Sequence, residues 1–501
     1  MSTKLLYVDL FCGAGGTSTG VNSARLRGQR CAEVVACVNH DAKAIASHAA
    51  NHPGAMHFTE DIRTLELSPL VDHLRRCRAL NPGALTVLWA SLECTNFSKA
   101  KGGQPRDADS RTLAEHLFRY IEALSPDYIQ IENVEEFMSW GAVDEHGHPV
   151  SKDRGRSYVR WVNKVKRYGY DYDYRILNSA DFGAYTSRKR FFGIFARKEL
   201  PMVFPEPTHS KTGCADLFGI KPKWRPVREV LDFEDEGKSI FGRKKPLAEK
   251  TLERIYAGLI KYVAQGKEAF LVKYNSMNQR GRYVPPSLDD PCPTIAVQGR
   301  LAVASVHFLS KQFGGAPAGK NISVDEPAGS ITTIDHHAFI SVHYGNGFNT
   351  SCESPAATLT TRDRMALVSV SYLDMQYGNG TPASVDSPAG TITTNPKLNL
   401  VTVKHAPVLA TTYTGDIAIE IYDTDSPMTV KIKEFMALYC IIDITMRMLK
   451  VMELKLIQGF PEDYVLIGTQ ADQKKFIGNA VEVNTARAWC EALCSALTQS
   501  N

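Results

Sequence analysis

The sequence predicts an α/β protein: a domain with a mostly parallel sheet, interrupted by a β-rich region with internal repeats. Three observations predict it. Short apolar runs alternate with helical stretches over residues 1–199. A glycine-rich turn joins the first strand to the first helix. From about Leu200 onward, Thr, Ser, Gly and Pro dominate and a proline-centred motif recurs.

The elements follow in chain order. Leu5 to Phe11 read as a buried strand, Cys12-Gly13-Ala14-Gly15-Gly16 as a turn and Thr17 to Leu26 as a helix. Strand, glycine turn and helix open a nucleotide-type, Rossmann-like domain. Glycine lets the backbone approach a ligand, and a helix N-terminus favours negative charge. The same residues also serve as a simple tight turn. A second strand, Glu33 to Val38, ends in Asn39-His40-Asp41 before a helix over Ala42 to Ala50. In such a domain this strand end faces a cofactor ribose, which makes Asn39, His40 and Asp41 candidates. Asp61-Ile62 stands where a third strand ends. There Asp61 either meets an adenine amino group or caps a helix.

A fourth strand, Thr86 to Ala90, runs into a polar loop that holds Cys94 and leaves through Lys99, Lys101, Gly102 and Gly103. A helix is predicted over roughly Arg111 to Leu124. The strand Tyr128 to Ile131 then ends in Glu132-Asn133-Val134. A thiol and a carboxyl thus fall at the carboxyl ends of two parallel strands, the edge where open α/β sheets bind ligands. Thr186-Ser187-Arg188-Lys189-Arg190 precedes a strand over Phe191 to Phe195. Its cations are either a solvated face or an anion or base clamp.

Beyond Pro201, Pro205 and Pro207 lies the repeat, over about 289–435. Its copies centre on Pro291, Pro327, Pro355, Pro388 and a degenerate Pro427, spaced 36, 28, 33 and 39 residues apart. Each copy is expected to be one β unit opened by the proline. Nine residues after the first four prolines stand Arg300, His336, Arg364 and Lys397. At hairpin tips they are either solubilising turn residues or a row of phosphate contacts. Helical pattern returns near Glu434. A helix over Arg447 to Gln458 is expected to stop at Gly459 and Pro461, and a last helix reaches about Leu497.

Bulk properties bound the function. The chain has 501 residues, room for two or three domains, with 44% hydrophobic and 22% charged residues, ordinary for a globular protein. A net charge of +4 and a pI near 8.4 place any nucleic-acid affinity in a local patch. Eleven cysteines form no Cys-x-x-Cys pair, which favours a reducing cytoplasm and argues against a zinc ribbon, so no metal is expected. The N-terminal apolar run is too short for a signal peptide. The longest apolar stretch, Phe435 to Ile442, reads as core rather than a membrane span.

Taken together, these residues resemble the DNA (cytosine-5)-methyltransferase family of bacterial or phage type. Asp9-Leu10-Phe11-Cys12-Gly13-Ala14-Gly15-Gly16 is similar to its S-adenosylmethionine loop, and Cys94 with Phe97-Ser98 to its nucleophile loop. Glu132-Asn133-Val134 is similar to its acid motif, and Arg188 and Arg190 to its paired arginines. Arg447, Glu453 and Gln458-Gly459-Phe460-Pro461 resemble its late helix motif, and Gly478-Asn479-Ala480-Val481 its last one. The match covers nearly all of residues 5–199 and 440–495. Six positions depart from the family pattern: Glu93 and Thr95 flank the thiol, Tyr185-Thr186 precede the arginines, Asn39 takes the ribose acid position, and Glu482 replaces a proline. Glu93 opposes thiolate formation unless it points away or pairs with Lys99 or Lys101.

The resemblance implies a methyltransferase domain from 1–199 and 436–501, with the last helix returning to it, and a target-recognition domain over 200–435. It implies S-adenosylmethionine as methyl donor, held by Phe11, Gly13, Gly15, Asn39, His40, Asp61, Ile62 and Asn479. The expected partner is double-stranded DNA, contacted by Arg300, His336, Arg364 and Lys397. A separately encoded cognate restriction endonuclease, a monomeric state and no membrane partner are also expected.

Residue chemistry agrees with this reading. Carbon 5 of cytosine is a poor nucleophile until a thiolate adds at carbon 6, which suits Cys94. The charge that develops on the ring calls for a proton at nitrogen 3, which suits Glu132, and for a cation at the exocyclic oxygen, which suits Arg190 with Arg188 nearby. The base must leave the duplex stack to lie between thiol and donor. Two alternatives stand beside it: a tRNA cytosine-5 methyltransferase, and a catalytically impaired DNA-binding homologue.

Overall fold

The computed structural model describes residues 5–92, 113–140, 155–216, 219–235, 237–260, 421–438, 441 and 443–499, and the backbone of eight strands between 269 and 404. Its first half is organised on β1 (Leu5–Leu10), whose six residues are all buried. A strand covered on both faces needs an apolar run rather than alternation, and Leu5-Leu6-Tyr7-Val8 supplies it.

The chain continues through α1 (Gly16–Ser23), β2 (Ala32–Val38), α2 (Ala42–Asn51), β3 (Met56–Phe58), α3 (Ser68–Leu80) and β4 (Leu85–Ser91). Then come α4 (Leu117–Leu124), β5 (Tyr128–Asn133), α5 (Arg156–Lys166), β6 (Tyr170–Asn178) and β7 (Lys189–Arg197). These strands form one sheet in the order β3-β2-β1-β4-β5-β7-β6. Only β7 runs against its neighbours; the other pairings are parallel. This is the expected Rossmann-like, mostly parallel α/β architecture. The order reverses between β1 and β4, and such a switch point opens a crevice at the carboxyl ends of the strands.

Successive side chains of a strand face opposite ways. Leu6, Val8 and Leu10 therefore join Leu88, Ile129, Leu117, Ile121 and Trp161 on one face. Leu5 and Tyr7 join Val21, Val87, Trp89, Phe192 and Trp489 on the other. Trp489 belongs to α10 (Val483–Gln499), so the end of the chain closes that second face. Its ring meets Trp89 edge-on at 5.5 Å and stacks on Phe204 at 5.5 Å.

A second sheet uses the later strands: β8 (Lys238–Ser239), β9 (Ala269–Lys273), β10 (Leu301–Ser305), β11 (Val370–Met375), β12 (Ala383–Ser384), β13 (Leu398–Lys404) and β14 (Asp443–Met448). Its order is β8-β14-β13-β10-β11-β12, with β9 on β10. The helices α6 (Glu249–Gly258), α7 (Pro427–Leu438), α8 (Val451–Ile457) and α9 (Gln470–Asn479) are also described, as are a small three-stranded sheet of Ile340–Val342, Asn349–Thr350 and Met365–Ala366 and further short strands and turns. The first four prolines of the repeat lie outside the described residues. Strands begin immediately after the positions of Arg300, Arg364 and Lys397.

Two expectations about local structure are corrected. The helix expected over Arg447 to Gln458 is split: residues up to Met448 form β14, paired along its length with β13, and the helix starts at Val451. A ladder supplied by a distant strand outweighs a short helical pattern. Gly459 does end α8, with φ 83 in the left-handed region. The degenerate fifth repeat does not open a β unit either. Pro427 is the first residue of α7, and the Ser426 hydroxyl accepts from the Thr429 amide at 3.2 Å. Proline's fixed φ suits a first helical turn, and serine caps it. No described helix is long and apolar enough to cross a membrane.

Candidate active site

β4 and β5 are paired in parallel with Ser91 opposite Glu132. Asn133 ties the two strand ends together. Its Nδ2 donates to the Leu92 carbonyl at 3.3 Å, while its Oδ1 accepts from the Val134 amide at 2.8 Å. Leu92 leads directly into the segment that carries Cys94. Cys94 and Glu93 themselves lie outside the described residues.

Glu132 is 6% exposed. Burial pushes its carboxyl above the usual range, and the charges of Arg188 and Arg190 pull it partly back. β7 explains why both cations are near. Phe192 is the register partner of Glu132, Arg190 stands two residues before it on the same side of the strand, and Arg188 stands immediately before the strand begins at Lys189. The two arginines then divide their contacts. Arg190 Nε lies 3.5 Å from Glu132 Oε1. Arg188 is buried, and its Nη1 donates to the Gly478 carbonyl at 3.3 Å. Two members of the basic run thus reach partners within the protein, while Lys189 between them is exposed.

The glycine turn sits at the carboxyl end of β1. Phe11 (φ 59), Gly13 (φ 52) and Gly15 (φ 103) are all left-handed there. The glycines differ in purpose. A Cβ on Gly13 would meet nothing within 4 Å, so its backbone borders open space. A Cβ on Gly15 would collide with Tyr464 Oη and come within 3.1 Å of the His48 ring. Tyr464 Oη donates to the Ala14 carbonyl, so Gly15 makes room for packing.

At the next strand ends the polar groups are partly committed. Asp41 caps α2, accepting from the Lys43 and Ala44 amides, and pairs with Lys475 Nζ at 3.0 Å. Asn39 accepts from the Asp41 amide at 2.8 Å, and His40 is exposed. Asp61 neither caps a helix nor stands alone. It closes a turn with the Arg63 amide at 2.9 Å and pairs with the Arg63 guanidinium at 2.7 Å. That hydrogen bond is the largest of the effects that lower its pKa, with a smaller one from His40. Ile62 is buried, and its carbonyl accepts from Arg119 and from Tyr120 Oη.

The late motifs close the site from behind. Gln458 Nε2 donates to the Ala480 carbonyl at 2.7 Å, and the Val481 carbonyl abuts Gly16. Asn479 is exposed at the end of α9. Arg447 and Glu453 form a buried two-pronged pair at 3.0 and 2.8 Å, and Arg447 also reaches the carbonyls of Asp232 and Asp235. Glu482 accepts from the Asn484 amide, the Thr485 amide and the Thr485 hydroxyl, so it caps α10 where the family pattern has proline.

Sequence reasoning left Asn133, Tyr464 and Gln458 without roles, although the first and last stand inside the motifs quoted for the resemblance. Spacing along the chain also pointed to no metal-ligand set. Among the described residues the fold gathers two: Cys12, Cys37 and His48, and separately Cys31, Cys490 and Cys494. Arg300, His336, Arg364 and Lys397 lie outside the described residues.

The donor set suits a nucleoside-type cofactor: a glycine turn with open space at Gly13, and polar residues Asn39, His40 and Asp61 at the adjoining strand ends. A Rossmann-like sheet with such a turn after β1, at the switch point, and a buried acid at the end of β5 defines the class, a nucleotide-cofactor α/β protein. More specifically, the chain belongs to the C-5 cytosine-specific DNA methylase family, whose model matches residues 5–280 and 386–495. It is 29% identical over 249 residues to the type II methyltransferase M.XorII of Xanthomonas oryzae pv. oryzae, covering 49% of this chain and 53% of that protein. It is 24% identical over 372 residues to the type II methyltransferase M.SacI of Streptomyces achromogenes, covering 68% and 87%. The chain thus spans about half the length of the first of these relatives. The S. pombe Dnmt2 methyltransferase structure aligns over 99% of each chain with a TM-score of 0.46 and 14% identity.

Proposed function

We propose that this protein transfers a methyl group from S-adenosylmethionine to carbon 5 of cytosine in a specific duplex DNA sequence, with the base flipped out and joined covalently to Cys94. The observation that carries the reading is Glu132: a buried carboxyl held towards its protonated form, at the strand end beside the one that leads to Cys94.

Bound S-adenosylmethionine supplies the electrophilic methyl group, and Phe11, Gly13, Asn39, His40, Asp61 and Ile62 line its place. Cys94 Sγ adds to carbon 6 of the flipped cytosine. Glu132 gives its proton to ring nitrogen 3, and Arg190, already beside that carboxyl, stabilises charge at the exocyclic oxygen. Arg188 holds the Gly478–Val481 segment against the site. Carbon 5, made enamine-like, accepts the methyl group, and loss of its proton and of Cys94 frees the product.

In this reading residues 200–435 form the target-recognition domain. Its repeats present Arg300, His336, Arg364 and Lys397 to DNA, and residues 1–199 with 436–501 form the catalytic domain. The enzyme acts as a cytoplasmic monomer, beside a separately encoded restriction endonuclease.

The test is methyl transfer to duplex DNA and to tRNA side by side, with trapping on 5-fluorocytosine DNA. The expected result is transfer to DNA and a covalent adduct that Cys94→Ser abolishes. Transfer to tRNA alone, or donor and DNA binding without an adduct, would overturn the proposal. Bisulfite sequencing of host DNA after expression then reads the recognition site.

A further inference from the structure

Four chemistry-bearing side chains meet beneath the glycine turn, and the methyl-transfer reading uses none of them. Cys12 follows β1, Cys37 lies on β2, His48 on α2 and His57 on β3. The ligand atoms of Cys12, Cys37 and His48 lie within 4.8 Å of one another, and all three residues are buried. Cys37 Sγ is 3.6 Å from His48 Nδ1, and His57 Nε2 is 2.9 Å from the same nitrogen.

We propose that Cys12, Cys37, His48 and His57 form a tetrahedral zinc site that pins the glycine turn, β2, α2 and β3 to one another. The donor set is the two-thiolate, two-imidazole type that zinc takes in structural sites. With zinc–sulfur near 2.3 Å and zinc–nitrogen near 2.0 Å, a tetrahedron has a sulfur–nitrogen edge of roughly 3.6 Å. The separation between Cys37 and His48 already has that length. The two imidazole nitrogens must part by about half an ångström to reach their own tetrahedral edge, and His57, which lies outside the group of three whose ligand atoms are all within 4.8 Å, must move in to complete the shell.

The surroundings of His48 set which nitrogen faces the cluster. Ser18 Oγ donates to Asp9 Oδ2 at 2.8 Å, so the same hydroxyl oxygen, 2.8 Å from His48 Nε2, accepts the proton of that nitrogen. His48 Nδ1 is then left with its lone pair towards Cys37 and His57. Burial holds the Asp9 carboxyl well above its ordinary range, and a carboxyl and a hydroxyl behind an imidazole are the outer-shell arrangement of metal-bound histidines. Charge balances as well. Zinc displaces the two thiol protons to solvent, and two thiolates cancel its charge, leaving a neutral centre in a buried place. The alternative is a hydrogen-bonded network in which His48 Nδ1 meets His57 Nε2 at 2.9 Å and Cys37 Sγ at 3.6 Å.

The test uses the full chain, reduced, chelator-stripped and titrated with cobalt(II) alone, together with metal analysis of the protein as isolated. The expected result is zinc in equimolar amount as isolated, and cobalt titration saturating at the same ratio. Visible bands of tetrahedral cobalt and near-ultraviolet thiolate charge transfer should appear, and zinc should bleach both. Cys37→Ser should remove most of the charge transfer. His57→Gln, at a half-buried position that tolerates the change, should keep the fold and weaken cobalt binding by at least about tenfold. A Cys490→Ser, Cys494→Ser variant should bind as the parent does. No cobalt bands in the parent protein overturns the proposal. So do bands that survive Cys37→Ser and His57→Gln but vanish in the Cys490, Cys494 variant. If Cys37→Ser fails to fold, the parent protein and His57→Gln decide the matter.

Discussion

Replacing Gly20 with alanine should loosen the seam between α1 and α10, the contact by which the end of the chain is joined to its beginning. In an isolated helix the change stabilises, by about 1 kcal/mol. Here a Cβ would come within 2.6 Å of the Val483 carbonyl, 2.7 Å of the Ala486 methyl and 2.9 Å of the Arg487 amide. Two of the three are backbone atoms, so the clash is relieved only by moving α10. That helix is held by the Glu482 cap and by Trp489, which is fully buried against the sheet. Overpacking of this kind costs about 1–3 kcal/mol, and a backbone obstacle puts the cost in the upper half. Against the helix-propensity gain, the net loss is about 1–2 kcal/mol. A domain of this size loses roughly 2–4 °C per kcal/mol, so the melting midpoint should fall by roughly 2–8 °C. Thermal unfolding followed by circular dichroism reads it directly. A variant that melts at or above the parent temperature would refute the close-packing argument, because propensity alone would then account for the position.

Three further outcomes follow from the site. Glu132→Gln should lower methyl transfer by about a hundredfold or more. Because burial raises the carboxyl of Glu132, activity should be lost as pH rises through its folded value. Arg190→Ala removes a charge that lowers that value, so the alkaline limb should move to higher pH; a limb that stays or moves down contradicts the assignment. The same sign holds for stability: the contribution of a protonated Glu132 is fully present below the ordinary carboxylate range and disappears as pH climbs through the raised folded value. Glu453→Ala strands the buried Arg447 and should cost about 3–5 kcal/mol in urea unfolding, with a loss below about 1 kcal/mol counting against a buried pair. Arg300→Ala and Arg364→Ala should each weaken DNA binding and reduce the slope of log affinity against log salt by about 0.9. An unchanged slope would assign these arginines to solubility.

What was legible in the sequence had local causes. β1, β4 and β5 are covered on both faces, so each reads as a mostly apolar run broken only at Asp9, Thr86 and Gln130, and the polar residues that end β4 and β5 mark the edge of the sheet. Gly459 and Pro461 stop α8 by conformational rules that need no partner. Glu132 was singled out by its place at the end of a strand beside the one that leads to Cys94, and by the resemblance of Glu132-Asn133-Val134 to the family's acid motif.

Tertiary structure decided the rest, because the deciding partner lies far along the chain. β14 is a strand rather than the start of a helix only because β13 lies beside it. Pro427 matches the repeat in sequence yet begins α7, where Ser426 caps the turn. Gly13 and Gly15 look equivalent in the motif, but Tyr464, from the other end of the chain, separates a glycine that borders open space from one that makes room for packing. Arg190 stands on β7 and Arg188 just before it, yet one answers Glu132 and the other Gly478. The gathering of Cys12, Cys37, His48 and His57 has no signature in spacing at all. It arises because parallel pairing brings β1, β2 and β3 into adjacent register, and register is a property of the folded sheet rather than of any stretch within it.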